Sequence, residues 1–321
     1  MRPSLAACAT SALLSLTLHC TSGEERRSDP AAGVGSGFDG AVIEAGAAGE
    51  LTGQARRVVD LTVLLAETLP AHWGSNPPFA RWTNNWFEQP TNAYGSPASG
   101  SNGPYYSQRF VLDEHTGTQT DFPAHFVPPP DSGLPHAGPM GAVTGDKYPL
   151  SRQMGPAVVI DVTDLRDAAE PGFSAAITVE RIQDWESEHG SIEPGEVVLF
   201  HSGYSDAYYK PFPEGARMTM DPVVLKTAPG WPAPTPEAVM YLFDRGVWHL
   251  GTDGASMGPV EDGQPTHLAG LQQGMSWEEL LINLGELPAR GAFYIALPLK
   301  VADQSGAPTR AIALLPEGES E

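Results

Sequence analysis

The sequence predicts an α/β fold, a single mixed-sheet domain with long loops. Three observations carry this. Short runs of apolar and β-branched residues, such as Pro156-Ala157-Val158-Val159-Ile160-Asp161-Val162, alternate with helix patterns that have recognisable starts and stops. Proline and glycine, 31 and 35 of the 321 residues, are concentrated between those runs. The last two apolar runs, 292–301 and 309–315, are joined by a hairpin-like connection over 302–308, and no segment repeats another.

Residues 1–20 carry one charge, Arg2, and then the run Leu13-Leu14-Ser15-Leu16-Thr17-Leu18, which is too short to span a bilayer and has the form of a secretory signal peptide. Cys20, followed by Thr21-Ser22-Gly23, stands where a bacterial lipoprotein carries its acylated cysteine, although His19 is not the small residue a lipobox prefers. The expectation is therefore export, to the periplasm or, with Cys20 lipidated, to the outer membrane or cell surface. Residues 21–53 are rich in Gly, Ala, Ser and Glu, cannot offset the entropy of ordering, and read as a disordered linker. That leaves 54–321 for the folded domain. Its formal net charge, -21 for the whole chain, argues against nucleic acid or an anionic membrane as a partner, so membrane contact is expected only through an N-terminal anchor. Cys8 and Cys20 are the only cysteines, so the domain has no disulfide, no thiol nucleophile and no thiolate metal site.

Within the domain, 57–65 opens as a strand. Residues 70–106 read as a loop threaded with Trp73, Phe79, Trp82, Trp86, Phe87 and Tyr94, an aromatic lid from which Trp73 is the candidate substrate contact. Residues 108–113 form a strand, 128–151 a second Pro/Gly-rich loop, and 156–162 a buried strand. Thr178 caps a helix to about His189 that Gly190 closes. Residues 196–201 form a strand. Thr235-Pro236 starts a helix that ends at Gly246, and 247–253 is the next strand.

One window is denser in metal-ligating groups than any other: His115-Thr116-Gly117-Thr118-Gln119-Thr120-Asp121-Phe122-Pro123-Ala124-His125. β-Branched Thr, permissive Gly117 and Pro123 disfavour a regular helix, so a strand with turns is expected. In an extended segment Gln119 and Asp121 point to one side. A turn at Gly117 brings His115 beside them, and a kink at Pro123 returns His125 to the same pocket.

This window resembles the signature His-x-Gly-Thr-His-x-Asp-x-Pro-x-His of the cyclase family of metal-dependent hydrolases, which includes bacterial kynurenine formamidase and isatin hydrolase. Gln119 stands where the family has a second His. A second match lies at His267, Gly274, Glu279, Asn283-Leu284 and Leu287-Pro288, which keep the family's register without a gap. Asp60-Leu61-Thr62 is similar to the family's opening Asp-Leu-Ser, and Asp253 matches an Asp-x-x-Ser segment, with a hydrogen-bonding scaffold role expected. The resemblance spans roughly 58–315 and implies the swivelling β/β/α fold and a homo-oligomer. Read without it, Ser276-x-x-Glu279 is a capping box that would start a helix through Leu281, and His267 a plain first-turn helix residue.

What the resemblance implies for the site is a divalent ion, Mn²⁺ or Zn²⁺, held by His115, Gln119 and Asp121, with His267 and Glu279 added if a second ion binds. His125 would be the general base. Metal-activated water would then open a formamide, cyclic amide or lactone of small-molecule size. Because a neutral amide is a weaker ligand than imidazole, Gln119 favours one Mn²⁺ over paired Zn²⁺. The rival expectation is a metal-poor ligand-binding protein of the same fold without turnover.

Overall fold

A computed structural model describes residues 55–71, 73, 76–87 and 104–316. The proposed signal peptide, Cys20, the linker and Tyr94 lie outside the described residues.

The chain begins with β1 (Ala55–Asp60), and Thr62 adds an isolated bridge to Leu281. Next come β2 (Ala80–Trp86) and β3 (Tyr106–Val111), which among the described residues pair only with each other, as an antiparallel ribbon. Part of the expected 70–106 loop is therefore strand, and the strand before the ligand window stands outside the main sheet. Trp82, Trp86 and Phe87 are exposed on this ribbon, whereas Phe79 is buried against Phe110. Those rings are not the pocket lid that composition suggested. A polar backbone that pairs within its own ribbon has no need of the main sheet.

After β4 (Gln119–Asp121) the chain makes β5 (Met154–Asp161), β6 (Ala176–Ile177) and β7 (Val197–His201). It continues with β8 (Ala233–Pro234), β9 (His249–Thr252), β10 (Ser276–Glu279), β11 (Phe293–Pro298) and β12 (Gly306–Pro316). The main sheet runs β1-β12-β11-β5-β7-β9-β10-β4, and an additional pairing of β4 with β12 closes seven of these strands into a ring. Parallel neighbours β5, β7, β9 and β10 are covered by helices on one face, as crossover connections require.

Helix α1 (Val179–His189) has Thr178 accepting from the Arg181 amide and Gly190 at φ 87°, as its sequence signals require. Such a cap contributes about 1 kcal/mol. Its inner face buries Ile182 and Trp185, each adding roughly 1.5–3 kcal/mol. A short α2 (Tyr204–Tyr208) follows β7; α3 (Pro236–Phe243), capped by Thr235, packs on α4 (Gln264–Leu271). The helix-side core includes Val158, Ile160, Val198, Phe200, Leu250, Trp277 and Leu271; the other face of the same strands packs Val159, Leu199, Tyr294 and Ala313.

The expected helix at Ser276 is instead the central strand β10. Ser276 Oγ lies 2.7 Å from His249 Nδ1 rather than capping its own chain, and Glu279 reaches across to other segments. A slot between β9 and β4 that pairs both edges outweighs a local cap.

Candidate metal centre

β4 is only three residues long, yet it fixes the site because it is paired on both edges, Gln119↔Glu279 and Asp121↔Trp277 on β10, and Asp121↔Gly306 on β12. Cross-strand partners share a face, so Gln119 and Glu279 meet on the helix side with Asp121. Gly117, at φ 70°, makes the turn that carries His115 back to the strand. His115 packs so close to Gly306 that a Cβ there would fall 2.3 Å from the imidazole. At the other end Pro123 opens a 3-10 turn, Pro123–His125, that returns His125 to the same place. His267 arrives from α4, so the structure brings together every residue the sequence assigned to the centre.

These side chains line a cavity of about 290 Å³ with Trp73, Asn76, Phe126, Val223, Trp231, Ser256, Val260 and Gly263. Trp73, the expected substrate contact, stands edge-on to Trp231 with centroids 5.8 Å apart. Sequence reasoning did not name Trp231, Val223 or Val260. Their only sequence signal is position in Pro/Gly-rich connections, which does not show where a loop comes to rest.

His115 Nδ1 is 3.0 Å from Asp121 Oδ1. Both His125 Nε2 and His267 Nε2 are 3.6 Å from Asp121 Oδ2, and His267 Nε2 is 3.4 Å from Glu279 Oε1. Three buried atoms in this set have no hydrogen-bond partner: His115 Nε2, Gln119 Oε1 and Asp121 Oδ2. Unpaired buried acceptors are costly and uncommon, and an imidazole nitrogen, an amide oxygen and a carboxylate oxygen are together the donors a divalent cation takes. The residues fit such an ion. Ligand atoms of His115, Asp121 and His125 lie within 4.8 Å of one another, and a second group, Asp121, His267 and Glu279, shares Asp121 with the first.

Glu279 is already engaged. Its Oε2 accepts from Gln119 Nε2 at 2.8 Å, and its Oε1 accepts from Met257 N at 2.6 Å and Ser256 Oγ at 3.1 Å. His267 Nδ1 is 2.7 Å from Gly263 O, which leaves Nε2 for the site. The unpaired atoms therefore concentrate at His115, Gln119 and Asp121.

The electrostatics divide the histidines. Burial depresses His115, but the Asp121 carboxylate beside it outweighs this and raises its pKa to about 9. Burial likewise opposes His267, and the carboxylates of Asp121 and Glu279 beside its Nε2 carry it to about 10. Burial lowers His125 to about 4, helped by the neighbouring His115 and His267 and resisted by Asp121. Asp121 is held ionised, well below the usual carboxylate range, because His125 and His115 overcome the cost of burying it. Glu279 is pushed up by burial and by Asp121. The His115 and His125 rings sit 4.0 Å apart at a tilt of 34°, two neighbouring imidazoles whose proton affinities are shifted in opposite directions.

Asp253 has the scaffold role expected of it. Fully buried, it accepts from Ser202 N at 3.0 Å, from Gly203 N at 2.6 Å and from Ser202 Oγ, tying the end of β7 to the loop that carries Ser256.

A comparison with known proteins agrees with this geometry. Residues 59–259 match the Cyclase family model, described as "Putative cyclase". Isatin hydrolase of Roseibium aggregatum is 33% identical over 223 residues, 68% of this chain and 78% of that protein. Kynurenine formamidase of Salinibacter ruber is 30% identical over 205 residues, 63% of this chain and 76% of its own. Among solved structures, isatin hydrolase A from Ralstonia solanacearum superposes with a TM-score of 0.64 at 30% identity, covering 85% of this chain and 97% of that one. An isatin hydrolase bound to the product analogue thioisatinate gives 0.63 at 27%, with the same coverage. The family model spans more than half of the chain, and a relative of the family is 33% identical over 68% of it, so the chain belongs to the cyclase family of metal-dependent hydrolases.

Proposed function

We propose that this enzyme hydrolyses a non-peptide C–N bond in a small formamide or cyclic amide, or the C–O bond of a lactone, to give a carboxylic acid. The observation that carries the reading is the set of unpaired buried donors on His115, Gln119 and Asp121 facing a neutral His125 across one cavity. His115, Gln119 and Asp121 would hold one divalent cation through those atoms. When bound, it supplies a Lewis acid that polarises the substrate carbonyl and makes the attacking water more acidic. Two of the three donors are oxygens, which favours Mn²⁺ over Zn²⁺.

His125 is the base. Its side chain is 27% exposed, against 10% for His115 and 3% for His267, so it is the imidazole open to substrate and solvent. It takes the proton of the attacking water, whose oxygen adds to the carbonyl carbon, and returns that proton to the leaving nitrogen or oxygen as the bond breaks. Glu279 and Ser256 position: they fix the Gln119 amide and the loop at Met257. The relatives named for isatin and kynurenine formamide chemistry support the substrate class.

Elemental analysis of the purified protein and of His115→Ala tests the centre. Stoichiometric metal lost in the variant is expected, and no metal in either would overturn it. A hydrolysis panel of N-formylkynurenine, isatin, simple lactones and cyclic imides with Mn²⁺ or Zn²⁺ supplied then tests the reaction. We also propose export, on the strength of the 13–18 apolar run and Cys20; fractionation of cells producing the full chain checks it.

A further inference from the structure

We infer that Thr118 and Leu280 form a latch that positions Glu279 and, through it, the Gln119 amide, an inference that rests on the metal centre read above and adds two residues that do not line its cavity. The last pair in the ladder between β4 and β10 is Gln119 with Glu279, so Thr118 and Leu280 would come next in register. The strand stops short of them. Leu280 stands at φ 58°, in the left-handed region that a leucine rarely adopts and that cannot continue a pleated strand.

A side chain takes the place of the ladder bond. Thr118 Oγ1 donates to Leu280 O at 2.6 Å and accepts from Val63 N at 3.0 Å, while Thr118 O accepts from Thr309 N at 2.9 Å. One buried residue thus ties the ligand strand to the segment after β1, to β12 and to the end of β10.

A bulky residue in the left-handed region persists only where its surroundings fix it. Here the Thr118 hydroxyl holds the Leu280 carbonyl, Gly254 O holds its amide at 2.9 Å, and its side chain belongs to a buried cluster with Val63, Tyr204, Trp231 and Ala255. The turn sends the chain on to Leu281, which bridges Thr62 and donates to Thr252 O at 3.0 Å. It also fixes the strand immediately after Glu279, where a strand end otherwise frays. Glu279 is gripped at its carboxylate by Met257 and Ser256 and at its backbone by this turn. If Leu280 relaxed to the extended region, the Glu279 backbone would move with it and shift the carboxylate from Gln119 Nε2, now 2.8 Å away.

Thr118→Val keeps the shape and leaves the Val63 amide and the Leu280 carbonyl without this partner. Calorimetric titration of the metal-free full chain with Mn²⁺ is expected to show binding weakened about tenfold, the lower end of the effect of removing a group that orients a ligand. Thr118→Ser should restore most of it. Undiminished affinity in Thr118→Val, or an equal loss in Thr118→Ser, would overturn the latch. If the valine variant does not fold, Thr118→Ser against Thr118→Cys makes the comparison, because the thiol is the weaker donor and should bind Mn²⁺ less tightly. Equal affinities of that pair count against the latch.

Action through Glu279 reads as non-additivity. In the Glu279→Ala background, Thr118→Val should weaken binding by less than about twofold more, and a full further loss would mean that Thr118 does not work through Glu279. Hydrogen exchange gives a readout without metal. The Met257 amide, whose acceptor is Glu279 Oε1, should exchange about tenfold faster in metal-free Thr118→Val, while the amides of β7, paired on both edges, keep their protection. Unchanged exchange at Met257, or equal acceleration in β7, would reduce Thr118 to a merely structural residue. If the parent takes up no Mn²⁺ the metal-centre reading falls, and the Met257 amide still decides whether Thr118 positions Glu279.

Discussion

Gln119 and Glu279 are cross-strand neighbours joined by a 2.8 Å hydrogen bond from amide nitrogen to carboxylate, both side chains buried. The bond settles which way the amide faces: Nε2 is spent on Glu279 and Oε1 is left unpaired. A substitution that looks like the loss of a ligand thus keeps a donor atom, oriented by a carboxylate that is itself held by Met257 and Ser256.

The orientation can be measured. Glu279→Ala frees the amide to rotate and is expected to weaken Mn²⁺ binding about 10–100-fold, the usual effect of removing a group that orients a ligand. Gln119→Ala should weaken it at least as much, and Gln119→His should strengthen Zn²⁺ binding relative to Mn²⁺. Titration calorimetry of metal-free protein reads all three, and undiminished affinity in Glu279→Ala would dismiss the orienting role.

His125 sits within reach of Asp121, so binding and proton transfer must be separated by experiment. His125→Ala is expected to lower kcat about 10²–10⁴-fold while metal content stays stoichiometric. His115→Ala should lose metal and activity together. If His125→Ala also emptied the centre, His125 would be a ligand and the base would have to be sought elsewhere in the cavity.

Half of this site was legible because it is local. The strand alternation of Gln119 and Asp121, the turn at Gly117 and the kink at Pro123 are short-range consequences of residue type, and the structure has all three. His267 and Glu279 lie far along the chain and were placed by family resemblance alone. The capping pattern at Ser276 misled because a strand slot with partners on both edges is a tertiary fact. The helix caps at Thr178 and Thr235 were read correctly, since there local hydrogen bonding and tertiary packing agree. Trp231, Val223 and Val260 come from connections whose resting place depends on everything they pack against.

Behind the ligand strand, on the opposite face, Thr120 Oγ1 donates to Glu278 Oε2 at 2.7 Å and lies 2.8 Å from Thr309 Oγ1, all three residues buried. Thr120→Val keeps the shape but removes the donor from a wholly buried Glu278, at an expected cost of about 1–3 kcal/mol. Thr120→Ser keeps the hydroxyl and should lose less. Urea denaturation midpoints of the two variants compare them directly; equal losses would mean that the methyl group and not the hydroxyl matters.

His249 gives a pH signature that, among the cavity histidines, only His125 shares. It is fully buried on β9, and burial lowers its pKa to about 3 from an ordinary 6.5. Folded, it stays neutral through the range in which the unfolded chain takes up a proton. Its contribution is therefore fully present above about pH 6.5 and is lost as pH falls towards 3, at about 1.4 kcal/mol per pH unit once the unfolded imidazole is protonated. His115 and His267, raised to about 9 and 10, act in the opposite sense: their stabilisation is present below pH 6.5 and lost as pH rises through those values. Comparing metal-free parent with His249→Gln, which cannot titrate, isolates the one group. Between pH 6.5 and 4 the parent should lose about one proton's worth more stability than the variant, measured as unfolding free energy in urea. Parallel curves would mean that His249 is protonated in the folded state, with Glu278, 4.0 Å from its Nε2, as the counter-charge.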